Sequence, residues 1–223
     1  MPSQLVLPLS VRPSYGRTDF VVAPSNAQAV AFLDTWPHWP VNAAAIHGPA
    51  GSGKTHLVSI WRAASGAQVV SAAGLGHDLQ ASGPVVIEDV DAAAATETRD
   101  AVLFRLLLGA TIAAPVLLTG KEPPSDWFTT LPDLASRFSA LLSLPVWAPD
   151  DALLAALARK LLADRQLSVP APVIDHMVRS LERSPESIRA FIARADAKAL
   201  SEARPVSLSL VRELISDEGS GLS

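Results

Sequence analysis

The apolar positions of this chain follow two different periods. Ahead of Pro149, short apolar runs alternate with stretches at helical spacing; beyond it only helical spacing remains. Residues 42–47, 68–71, 85–90 and 116–119 are compact runs bounded by glycine, proline or polar residues, and each predicts a strand. The run from Val85 to Val90 is apolar and β-branched, as expected of a strand buried on both faces. Residues 144–147 predict a weaker fifth strand. Three helices are predicted ahead of and between them. Residues 26–36 carry Val30, Leu33 and Trp36 at helical spacing, with Ser25 as the N-cap; residues 54–64 place Leu57, Ile60 and Trp61 on one face; residues 96–112 form the third. Four more follow at 151–166, 172–181, 185–200 and 207–215, with Asp150 as an N-cap and Pro172 and Pro185 in first turns.

Strands alternating with helices imply an α/β fold: a parallel sheet with helices on both faces. The change of period divides the chain into three. Residues 1–18, with Pro2, Pro8, Pro13 and Gly16 and no helical period, read as an extended tail. Residues 19–149 form the α/β domain, and residues 150–218 a small helical domain.

Composition narrows the function classes. The chain has 223 residues, 49% hydrophobic and 18% charged, a globular balance. A net charge of −4 argues against a protein that mainly coats nucleic acid. With no cysteine there is neither a disulfide framework nor a Cys-ligated metal site. The N-terminus lacks a basic leader region, and the most apolar stretch, residues 101–118, is interrupted by Arg105 and Pro115. No membrane partner is therefore expected, and the expected location is cytoplasmic.

The strongest chemical signal is residues 48–55, Gly-Pro-Ala-Gly-Ser-Gly-Lys-Thr, between a predicted strand and a predicted helix. This is the phosphate-binding P-loop. Gly48, Gly51 and Gly53 let the backbone turn its N–H groups inward, and the helix start adds its positive end. Lys54 supplies a charge for the β- and γ-phosphates, and the Thr55 hydroxyl suits Mg²⁺. Glu88 and Asp89 close the apolar strand 85–87, where a P-loop NTPase needs acids. One of them, with Glu88 the metal candidate, would hold Mg²⁺ through water; the other would orient the attacking water. The plainer alternative is a pair of solvated turn carboxylates.

Several blocks resemble the AAA+ module of the bacterial initiator family DnaA. They are Asp19-Phe-Val-Val22, Ser25-Asn26, the loop ending Gly-Lys-Thr-His-Leu57, Leu118-Thr119 followed by Pro123-Pro124, and residues 131–138, Leu-Pro-Asp-Leu-Ala-Ser-Arg-Phe. The likeness spans about residues 15 to 216 and implies an AAA+ P-loop NTPase fold with a helical lid domain. It implies ATP or ADP with Mg²⁺ as cofactor, contacted by Asn26, Pro49, Ala50, Gly51, Ser52, Gly53, Lys54, Thr55 and His56. It further implies an arginine finger at Arg137, a sensor 2 at Arg189 with Arg194 as its rival, and a sensor 1 at Thr119. Two positions depart from the family pattern: Lys121 stands where relatives have an acid, and Glu88 where they have aspartate.

The tail sequence Gln4-Leu5-Val6-Leu7-Pro8-Leu9 is similar to motifs that dock on the replicative sliding clamp. Pro8 disfavours a helix, Leu7 and Leu9 offer apolar anchors, and Gln4 brings amide donors and an acceptor. Together with a DnaA-like module, this resembles the Hda family of DnaA regulators. That resemblance implies an ADP-bound switch that meets the β clamp and DnaA and makes DnaA hydrolyse its ATP. It would be an activator more than an autonomous enzyme. A homo-oligomer is compatible with it, and direct DNA contact is left open. The alternatives are a DnaA-like helicase loader or ATP-dependent motor and, against the helical lid and the Ser-Arg-Phe block, a P-loop kinase.

Overall fold

The computed structural model describes Arg17, residues 20–80 and residues 82–220, with side chains as far as Asp217. The tail positions Gln4, Leu5, Leu7, Pro8 and Leu9 lie outside the described residues. Five strands, β1 (Ala43–His47), β2 (Gln68–Ser71), β3 (Val85–Glu88), β4 (Val116–Gly120) and β5 (Leu142–Pro145), pair in parallel in the order β2–β3–β4–β1–β5. Parallel neighbours require long crossovers, and helices supply most of them. These are α2 (Lys54–Ser65), α3 (Glu97–Gly109) and α4 (Pro132–Ala140), with α1 (Ala27–Asp34) ahead of β1.

Both faces of the sheet are covered, so its strands are apolar in continuous runs. Ala44, Ile46, Val86, Leu117 and Leu144 face one side and pack with Val30, Leu33, Leu57 and Trp61 of α1 and α2. Trp61 stacks on Trp39 there, ring centroids 4.6 Å apart. Ala45, Val85, Ile87, Val116 and Leu118 face the other side and meet Leu103 of α3 and Leu134 and Phe138 of α4. The alternation along each strand is the period of two that places successive side chains on opposite faces.

Helices α5 (Asp151–Asp164), α6 (Ala171–Ser180), α7 (Pro185–Ser201) and α8 (Leu208–Ser220) follow β5. They bury their own apolar cluster around Leu154, Met177, Phe191 and Leu210. Asp150 caps α5 by accepting from the Leu153 N–H at 2.7 Å, and Ser184 caps α7 from Ser187 at 3.1 Å. Phe20 packs against the sheet-side core and Val21 against the helical core, so this short segment spans the two. Among the described residues, no helix is long and apolar enough to cross a membrane.

Several boundaries differ from the sequence expectation. Helix α1 has Asn26 rather than Ser25 at its N-cap position, with no side-chain cap bond, and it ends before Trp36. Strand β5 lies two residues earlier than expected, leaving Trp147 outside it and exposed. Helix α3 stops at Gly109, where the chain turns through Thr111 and Ala114, which bond each other's backbone.

The α3–α4 face contains a buried polar hub. The guanidinium of Arg99 pairs with Asp100 at 2.6 Å and donates to the carbonyls of Val90, Ala93 and Phe128. The second oxygen of Asp100 accepts from the Thr130 N–H at 2.6 Å and from the hydroxyls of Thr129 and Thr130. Arg99 is 3% exposed and Asp100 is fully buried. Burial alone would push the Asp100 carboxyl upward; the bonds from Thr130, Arg99 and Thr129 outweigh it and hold the pKa below the ordinary value.

Candidate functional site

The site lies at the carboxyl ends of β1, β3 and β4, the edge at which open α/β sheets place ligands. The chain leaves β1 at Gly48, whose φ is +150°, and passes Gly51 and Gly53 at +72° and +104° before entering α2. Those values are unfavourable for residues with a Cβ. At Gly48 a Cβ would also stand 1.9 Å from the Val146 carbonyl oxygen, so the loop is pressed against the end of β5. Gly53 is the N-cap of α2 and offers no side-chain acceptor, so the free N–H groups of the first turn are left for a ligand.

A cleft of about 670 Å³ opens over this loop. Ala50, Gly51, Gly53, Lys54, Thr55 and His56 line it from below, Asp89 and Lys121 from the strand ends, and Glu182, Ser184, Glu186 and Ser187 from the start of α7. A narrow apolar notch adjoins it, lined by Phe20, Val21, Asn26, Ser52, His56, Leu157 and Arg189. Phe20 meets His56 edge-on at 5.0 Å, giving the notch an aromatic wall.

The donor set fits a nucleotide polyphosphate. The Lys54 ammonium donates to the Gly48 and Pro49 carbonyls at 2.6 and 2.9 Å, which holds it inside the loop's curve. Burial lowers the Lys54 pKa, Asp89 and Asp91 raise it, and Lys121 lowers it again. The Ser52 hydroxyl is buried beside the loop, without a partner among the described residues. Among the described residues no group of three or more His, Asp or Glu side chains is placed to hold a metal. A magnesium ion here would rely on Thr55 and an acid, with phosphate and water oxygens completing its shell.

The two acids of β3 occupy different environments. Asp89 lines the cleft; Glu88 is half-buried, and burial first, then the charge of Asp89, raises its pKa. Asp89 adopts φ +57°, a left-handed conformation at the strand end. Its N–H donates to the Thr119 hydroxyl at 3.1 Å, while the Val90 N–H donates to the Thr119 carbonyl at 2.8 Å. Thr119 thus holds the turn that presents Asp89, and it is itself buried. Asn26 is also buried and organises its own loop, accepting from the Ala23 N–H and donating to the Val21 carbonyl.

The remaining predicted residues divide. Arg189, on α7, lines the notch beside His56. Arg194 is exposed and lies over the Phe191 ring at 5.5 Å. Arg137, in the last turn of α4, lies over the Phe104 ring at 5.0 Å and is not among the residues lining the cleft. Burial lowers the pKa of His47, at the end of β1. Sequence reasoning missed the α7 wall and Asp91. The carboxylate of Asp91 accepts from the N–H groups of Lys121 and Glu122 at 2.6 and 2.8 Å. Its spacing of two from Asp89 was the available signal.

No protein-family model matches the chain, and no curated protein matches its sequence. Solved structures do match its fold. Domain III of the replication initiation protein DnaA from Thermotoga maritima superposes with a TM-score of 0.66 at 17% identity, covering 92% of this chain and 97% of that one. AMPPCP-bound DnaA from Aquifex aeolicus gives 0.69 at 17%, covering 85% of this chain and 67% of that one. The RuvB Holliday junction branch migration motor of Thermotoga maritima gives 0.63 at 14%, covering 84% and 66%. The chain therefore shares the α/β fold of the DnaA and RuvB structures, a parallel sheet with helices.

Proposed function

We propose that this chain is an ADP-binding AAA+ regulator of replication initiation. It docks on the sliding clamp through residues 4–9 and stimulates ATP hydrolysis by DnaA. The observation that carries this reading is the place of Arg137. It stands on α4 and does not line the chain's own cleft, which supports a role toward a nucleotide held by another molecule. In such an arrangement the guanidinium neutralises charge developing on the phosphoryl group transferred to water in the partner's site.

The chain's own cleft then acts as the switch. Lys54 and the loop N–H groups hold the β-phosphate, Thr55 with Asp89 or Glu88 would hold Mg²⁺, and Arg189 reads the nucleotide from α7. The metal, when bound, screens phosphate charge. The notch edged by Phe20, Asn26 and His56 takes the base. AMPPCP is bound by the DnaA of Aquifex aeolicus, and the shared fold supports a nucleotide here.

The test is to incubate the protein with ATP-loaded DnaA, with and without DNA-loaded clamp, and follow nucleotide conversion. Conversion should need both the chain and the clamp. Changing Gln4, Leu5 and Leu7 to alanine should abolish clamp binding and stimulation while ADP affinity and Tm are retained; clamp binding by the triple variant at full strength would place the docking motif elsewhere. A second reading, a DnaA-like loader or ATP-dependent motor, is favoured by Asp89 facing the cleft. It requires sustained ATP turnover by the purified chain alone.

A further inference from the structure

We propose that Asp100 is a positioning residue for Arg137: it sets the entry of helix α4, and through α4 the place of the guanidinium offered to the other molecule's nucleotide. The inference rests on reading Arg137 as that guanidinium, and it names the part of the chain that aims it.

Helix α4 does not fix its own start. It begins at Pro132, and Leu131 at the N-cap position makes no side-chain cap bond. The entry is held instead from α3. One oxygen of Asp100 accepts from the Thr130 N–H at 2.6 Å and from the hydroxyls of Thr129 and Thr130 at 2.8 Å each. The Thr129 hydroxyl oxygen in turn accepts from the Leu131 N–H at 3.1 Å. The carboxylate thus reaches the N-cap residue through a single side chain. Three donors on one buried anion make a firm anchor, because releasing any of them leaves charge less satisfied where water cannot compensate.

The other oxygen of Asp100 accepts from Arg99 Nε at 2.8 Å. The Arg99 guanidinium also holds the Val90 and Ala93 carbonyls, just after Asp89, and the Phe128 carbonyl at 2.7 Å. The turn that presents Asp89 to the cleft and the segment that leads into α4 are therefore tied to one pair of side chains.

The far end of α4 returns to the same face of α3. Asp100 and Phe104 are four residues apart on that helix, and so lie one above the other. Asp100 holds the residues ahead of α4, and Phe104 carries the Arg137 guanidinium over its ring at 5.0 Å. Leu134 and Phe138 seat the helix on the core between these points. A nine-residue helix passes a tilt at its entry on to its last turn, where Arg137 stands. Misplacing a catalytic group by about 1 Å can cost about 10²-fold in rate.

The double variant Thr129→Val with Thr130→Val removes both hydroxyls and leaves the Arg99–Asp100 pair, the cleft and Arg137 in place. DnaA loaded with labelled ATP would be mixed in single turnover with DNA-loaded clamp and increasing amounts of the chain. The double variant should lower the saturating rate about 10-fold to 100-fold. Its half-saturating concentration, and its ADP affinity by calorimetry, should stay within about twofold of the unmodified chain. Thr129→Ser with Thr130→Ser keeps both hydroxyls and should keep the rate. An unmodified saturating rate in the valine variant, a loss confined to the half-saturating concentration, or an equal loss in the serine variant would overturn the positioning role. If the double valine variant does not fold, Thr130→Val alone, at an exposed position, carries the same test with the same outcomes. Arg137→Ala separates the two levels. If it abolishes stimulation while the valine variant is unaffected, only the role of Asp100 fails. If it leaves stimulation intact, the reading of Arg137 fails and this proposal with it.

Discussion

Two polar clusters, eight residues apart at their nearest members Asp91 and Arg99, are built in opposite ways. The hub on α3 is closed: Arg99 and Asp100 are buried, paired at 2.6 Å, and bonded to six further groups. The cleft is open. Among the described residues Lys54 bonds only to loop carbonyls, and Ser52 and Asp91 each keep a buried oxygen without a partner; Asp89 is left-handed. Buried polar groups in a finished structure are usually matched; unmatched ones beside a cleft mark where a ligand acts. The hub also spans the distance between the clusters of interest. It grips Val90 and Ala93, just after Asp89, and Phe128 to Thr130, just before α4 and Arg137. One cluster therefore holds the frame, and the other is built as the candidate binding site.

The comparison can be broken most forcefully at the hub. Arg99→Met leaves the Asp100 carboxylate buried and unpaired, and should cost about 3–5 kcal/mol in urea unfolding. The double variant Arg99→Met with Asp100→Leu should recover much of that loss. A single-variant cost below about 1 kcal/mol would show that the hub does not hold the frame.

The cleft should respond in the other currency. Lys54→Ala should weaken ADP binding by about 1.5–3 kcal/mol, the range for bonds to charged groups. Stability should hold or rise. Burial lowers the folded-state pKa of Lys54 below 10.5, so the charged form is disfavoured in the folded state at neutral pH, and removing the amine relieves this. Unchanged ADP affinity in a folded variant would contradict the phosphate assignment.

The smallest effect separates two acid limbs. His47 has its pKa lowered by burial, so its contribution is complete above 6.5 and is lost as pH falls below that value toward the folded pKa. Asp100 has its pKa depressed, so its contribution is present above 3.8 and disappears only as pH falls below it. His47→Asn should flatten the first limb of a stability–pH curve and leave the second. A curve unchanged below pH 6.5 would remove His47 from the account.

Most of the frame was legible because its causes are local. Buried parallel strands show as apolar runs, and β2 falls on the predicted residues, Gln68–Ser71. The P-loop was legible because its glycines and Lys54 are adjacent in sequence. Helix α4 was not predicted as a helix: it has only nine residues, begins at Pro132 and has no side-chain cap. The displacement of β5 has a similar cause, since its register is set by pairing Ala44 to Leu142 and His47 to Pro145 rather than by its own pattern. The hub and the Asp91 clamp were invisible for the same reason. Their partners lie up to 31 residues away and meet only when β3 and β4 pair. Arg189 could be separated from Arg194 only once α7 was placed, because the two are five residues apart on one helix and only Arg189 lines the notch.

The central claim, that Arg137 acts on a nucleotide held by another molecule, is tested most directly by one substitution. Arg137→Ala keeps the α4 contacts of Leu134 and Phe138 and touches no residue of the cleft. DnaA loaded with labelled ATP would be mixed in single turnover with DNA-loaded clamp and either the unmodified chain or the variant. Removing a trans arginine typically costs about 10³–10⁵ in rate, and lysine lacks the planar fork to replace it. The account predicts that the alanine variant binds ADP and clamp normally yet leaves the initiator's ATP unhydrolysed above background. Conversion at the unmodified rate would contradict it and leave Arg137 as a surface cation stacked on Phe104.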